Sequence, residues 1–130
     1  MKKSNKPKPE IEIINYGQYS RWDRDSKALP DFIELTEKVE AAPDVEFGMI
    51  VEIRKARGRY LEFRIDHPPF FGPDGLIEGP FEGQFRVKQN PYRFFLGDTV
   101  WEPIDDKKGE WTLTIFYNDE PLVSKSLYLI

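Results

Sequence analysis

Apolar and polar positions alternate with a period of two over much of this chain, the spacing of strands with one buried and one wet face. The alternation is cleanest where Leu61, Phe63 and Ile65 interleave with Glu62, Arg64 and Asp66. A related pattern closes the chain. Trp111, Leu113 and Ile115 share one face of a run over 109–117, and a second apolar run covers 122–130. Between them stand Asn118, Asp119, Glu120 and Pro121, which are poor strand formers and good turn residues. The segment 109–130 therefore predicts a terminal β-hairpin with Trp111 in the core.

Upstream, residues 11–22 have strand composition, and Gly17 marks a bulge or a close backbone approach. Residues 23–30 read as loop. In 31–42, Phe32, Leu35 and Val39 fit a helical stripe, whereas Ile33, Leu35 and Val39 fit a strand face. The all-β surroundings favour the strand. Residues 47–54 and 59–66 are expected to pair as a second hairpin across Lys55, Ala56, Arg57 and Gly58. A long loop rich in Pro and Gly follows over 67–80, with its Pro68-Pro69 bonds expected to be trans. Phe81, Phe85 and Val87 mark one further strand, and Phe94, Phe95 and Leu96 another. The turn 102–109 carries Asp105, Asp106, Lys107 and Lys108, read as mutually compensating charges in solvent. Short strands at this spacing, with no βαβ alternation, predict an all-β fold: an immunoglobulin-like antiparallel β-sandwich of about seven or eight strands, with a small β-barrel as its rival.

Composition narrows the functional classes. The chain has 130 residues, enough for one domain, placed at 10–130 behind a disordered basic tail over 1–9. There is no cysteine, which removes thiol catalysis, thiolate metal sites and disulfides. No apolar run approaches the roughly 20 residues needed to cross a membrane. The charged opening lacks the apolar segment of a signal peptide, so cytoplasmic location is expected if Met1 is the native start. The tail holds Lys2, Lys3, Lys6 and Lys8; removing these four from 19 basic residues leaves 15 against 23 acidic, a balance of −8. A body that acidic repels phosphate backbones, so neither nucleic acid nor membrane is an expected partner.

Several motifs carry a family resemblance: Gly17-Gln18-Tyr19, Phe47-Gly48, Phe63-Arg64-Ile65 leading into His67-Pro68-Pro69, and Gly109-Glu110-Trp111-Thr112. In this order they resemble the uncharacterised bacterial domain of unknown function 3859 family over roughly residues 15–130. The resemblance implies a compact domain and assigns no activity to any residue.

Candidate chemistry is sparse. His67 is the only histidine. Its neighbour Asp66 lies on the opposite strand face, so loop anchoring is the better reading than general-base catalysis. Asp23, Asp25, Asp105, Asp106, Asp119 and Glu120 lack the spacing of a calcium loop. No catalytic residue, metal ligand or cofactor is therefore assigned. The binding candidates are His67 with the aromatics Trp22, Phe70, Phe71 and Trp101, which fall at strand ends or in loops. Clustered, these would form an apolar patch. The expected function is a non-catalytic interaction domain that meets a protein or peptide, or a second copy as a homodimer, through loops or an edge strand. A small-molecule or glycan module using the same aromatics stands second, and an enzyme last.

Overall fold

The computed structural model describes residues 8–23, 25 and 28–130. Among these described residues, nine strands order as β1 (Glu10–Tyr19), β2 (Phe32–Leu35), β3 (Lys38–Val39), β4 (Glu46–Arg54), β5 (Tyr60–Asp66), β6 (Phe81–Arg86), β7 (Tyr92–Thr99), β8 (Gly109–Tyr117) and β9 (Glu120–Leu129), with a 3-10 turn at Asp105–Lys107. They build two open sheets, β2-β1-β4-β7 and β3-β9-β8-β5-β6. Two open sheets make a sandwich and dispose of the barrel. Most of the expected tail, residues 1–7, lies outside the described residues. Of the remainder, Pro9 is buried and Lys8 pairs with Glu120.

Inner faces interdigitate in a core drawn from both sheets. Phe47, Met49, Val51 and Ile53 of β4 meet Leu61 and Ile65 of β5, Trp111, Leu113 and Ile115 of β8, and Leu127 of β9. The ring of Trp111 meets that of Phe47 edge-on, with centroids 5.1 Å apart. The terminal hairpin β8–β9 forms as its turn residues predict, with Asn118 and Asp119 both at positive φ.

The segment 31–42 resolves as strand. It runs as β2 on one sheet and then crosses to the other as β3, which pairs parallel to β9. At Gly17 the prediction of close approach holds: a Cβ there would lie 2.1 Å from the carbonyl oxygen of Glu34. The second predicted hairpin does not form. β4 pairs with β1 and β7, while β5 pairs with β6 and β8, so 55–59 is a bridge between sheets. The reason is burial. Every residue of β4 from Glu46 to Ile53 is buried, which demands a neighbour on both edges and cover on both faces. The outer cover comes from a smaller cluster, in which Trp22 and Leu29 fold over Tyr19, Ile50 and Phe95. Burial pushes the Tyr19 phenol far above its ordinary range, and its hydroxyl donates to Asn15 Oδ1 at 2.6 Å.

The cis peptide bonds precede Pro91 and Pro103; the bonds of Pro68 and Pro69 are not among them.

Candidate functional site: an apolar finger on an aromatic base

The connection between β5 and β6 is an extended finger. Phe71 and Ile77 face each other across an antiparallel bridge. Glu78 N–H donates to the Phe70 carbonyl, and Gly72 N–H to that of Leu76, both at 2.8 Å. Four residues turn the tip, ending in Gly75 at φ +80, a conformation glycine adopts without strain. Leu76 N–H donates to Asp74 Oδ1 at 3.0 Å, fixing that turn.

His67 ties the finger's two ends together. Its Nδ1 lies 2.8 Å from the Pro68 carbonyl oxygen and its Nε2 2.8 Å from that of Gly79. A neutral ring donates to one of these and an imidazolium to both. The imidazole stacks on Phe70 at 4.4 Å and tilts against Phe81 at 4.7 Å and Trp111 at 5.4 Å. It anchors the loop, but on aromatic rings.

Beneath this stack sits a cation that the sequence pattern had placed in solvent. Lys107 is 2% exposed. Its ammonium lies 4.6 Å from the Phe70 ring centroid and 4.7 Å from that of Trp101. It donates to the Pro103 carbonyl at 3.0 Å and to Asp106 Oδ1 at 2.6 Å. A cage of this kind suits a cationic ligand; here the chain's own lysine fills it. The correction to the self-compensating turn is physical: Lys108 pairs with Asp105 at the surface, whereas Lys107 turns inward because two rings and two oxygens replace its water.

The five predicted binding residues therefore divide. His67, Phe70 and Trp101 converge with Phe81 and Lys107 to form the base. Phe70 is 5% exposed and serves as packing, whereas Phe71 beside it is 71% exposed. Trp22 lies elsewhere, edge-on to Phe95 at 5.1 Å on the outer face of the four-stranded sheet. Sequence reasoning missed Leu76 and Ile77, which are 68% and 63% exposed and complete the finger's apolar surface with Phe71. An apolar pair with no strand alternation, set inside a Pro/Gly loop, was the signal for them.

The model of one protein family, described as a domain of unknown function (DUF3859), matches residues 7–128. The chain belongs to that family. Among solved structures, this DUF3859 chain is similar to a crystal structure of an immunoglobulin-like protein (PA1606) from Pseudomonas aeruginosa. The two share 24% identity with a TM-score of 0.75, over 98% of this chain and 100% of that one. At that identity the likeness carries the fold, an immunoglobulin-like β-sandwich, and no function. No curated protein matches the chain.

Proposed function

We propose that this DUF3859 domain is a non-catalytic interaction module that inserts its finger into an apolar groove on a partner protein. The observation that carries the reading is the finger's composition: three large apolar side chains, each more than three-fifths exposed, on one hydrogen-bonded hairpin. Apolar groups left in water on a pre-ordered element lose little entropy on docking, which is how anchor residues work. A non-catalytic role is supported by His67, whose two nitrogens both face backbone carbonyls and leave no free base.

The finger is favoured over strand addition at three of the four sheet edges, β2, β3 and β6. β2 has four residues, all exposed, and its register shifts opposite Gln18 and Tyr19; short, irregular edges resist pairing. β3 has two residues, and β6 turns Glu82, Gln84 and Arg86 outward.

The test is the double substitution Phe71→Ser and Leu76→Ser. Burying two such side chains contributes on the order of 3–4 kcal/mol, so partner affinity should fall at least about a hundredfold. The melting temperature should move by no more than about 2 °C, because neither side chain packs in the core. Affinity capture from source lysate with wild type and variant reads the first quantity. Sedimentation of the purified domain shows whether the partner is a second copy. A partner retained equally by the variant removes the finger from recognition.

A further inference from the structure

At the root of the finger the imidazole of His67 stands between two carbonyl oxygens. That of Pro68 belongs to the outgoing leg and that of Gly79 to the returning leg, each 2.8 Å from a ring nitrogen. Two acceptors on one ring ask for two donors. A neutral imidazole has one N–H, so its other nitrogen turns a lone pair toward a carbonyl oxygen, a repulsive contact at that distance. An imidazolium donates to both, and each of these bonds is charge-assisted. The Phe70 ring, stacked on the imidazole at 4.4 Å and 30°, presents its electron-rich face to the same charge.

The charged groups around the base act in both directions. The Lys107 ammonium, held against Phe70 and Trp101, opposes a second cation, and Asp106 at 2.6 Å from it offsets that opposition. Asp66, which precedes the histidine, is paired with Arg64 at 3.0 Å. On the two strands that bring Phe81 and Trp111 against the ring, the neighbouring acids Glu82 and Glu110 are exposed on the opposite faces. Glu78 on the returning leg is partly exposed to water. The near charges thus form two balanced pairs, and the direct contacts of the ring, two carbonyl oxygens and an aromatic face, decide.

We propose that His67 is a proton-operated strap on the finger. Protonated, it closes the root across Pro68 and Gly79; neutral, it releases one of the two carbonyls and the finger loosens. The sign follows from which form holds both legs: the strap is present on the acid side of the ring's own titration and is lost as pH rises through it. Resting on the finger reading, the consequence is tighter partner docking on the acid side, because a loosened finger must be ordered again.

Nuclear magnetic resonance of the full chain tests this without a partner, over a range from about pH 5.5 to 8.5. The ring nitrogen resonances report protonation of His67. Amide-exchange protection at Gly72 and Glu78, taken against the rates of an unstructured chain at the same pH, reports closure of the finger. Protection at these two amides should fall about fivefold from the acid to the alkaline end, beyond any change at Met49 and Leu113 in the core. Its midpoint should coincide with that of the ring. His67→Gln, which takes up no proton, should lose this pH dependence whatever its absolute protection. The strap is overturned if the ring keeps one protonation state across the range, or if finger protection does not fall as the ring loses its proton. It is equally overturned if the pH dependence survives in His67→Gln. Equal partner capture by Phe71→Ser, Leu76→Ser removes the finger reading alone, so the two failures are read separately.

Discussion

Trp111→Ala is expected to remove about 4 kcal/mol of unfolding free energy, with a fall in melting temperature of about 10–20 °C. The residue is fully buried on β8, the central strand of the five-stranded sheet. Its ring meets Phe47 of the opposite sheet, His67 at the finger base and Trp101 beyond β7. Its Nε1–H donates to the Lys107 carbonyl at 2.7 Å. Alanine therefore leaves a cavity between the sheets and an unsatisfied carbonyl, and each adds to the cost. Against a total of about 5–15 kcal/mol for a domain of this size, the loss is large enough to read in a urea titration. Trp111→Phe keeps most of the ring volume and loses the N–H donor, so about 2 kcal/mol is expected. Equal losses for the two variants would show that the hydrogen bond, and not packing, is the main contribution. A loss below about 1 kcal/mol for alanine would contradict the core position.

The contrast between Trp111 and Lys107 explains how much could be read in advance. Trp111 was legible as core because it sits in register with Leu113 and Ile115, and period-two patterning is a local property. The strands were legible for the same reason. Which strand pairs with which was not. The run Phe47-Gly48-Met49-Ile50-Val51 looked like one arm of a hairpin, although its near-continuous apolarity is the mark of a strand buried on both faces. Its outer cover, Trp22 and Leu29, arrives from a loop whose packing no periodicity encodes.

The finger base was legible by residue type alone. His67, Phe70 and Trp101 stood out because aromatics at strand ends lack an automatic core explanation, and they do converge. Lys107 could not be foreseen, since a lysine in a run of four charges reads as solvated unless the rings around it are known. Phe70 and Phe71 are neighbours with opposite fates, one in the base and one on the tip. Only the bridge between Phe71 and Ile77 decides which is which.

The second large effect belongs to Lys107, the residue through which the 3-10 turn holds the finger. Its ammonium is shared between Phe70, which opens the finger, and Trp101, which follows β7, so one side chain couples two connections at the same end of the sandwich. Lys107→Ala removes both ring contacts and both hydrogen bonds, and it leaves the Pro103 carbonyl without that donor. About 3 kcal/mol of destabilisation is expected, below the full cost of orphaning a buried charge because Asp106 is partly exposed and can take up water. Lys107→Met keeps the apolar stem and should cost about half as much. The more telling readout is local. If the cage fixes the finger, Lys107→Ala should speed amide hydrogen exchange at Gly72 and Glu78, which donate across it, at least about tenfold beyond the global change. Partner affinity should then weaken although Phe71, Leu76 and Ile77 are untouched, since a loosened finger must be ordered again on docking. Exchange that rises only in step with global stability would reduce Lys107 to core packing. The finger would then owe its rigidity to His67 and its own backbone bridge.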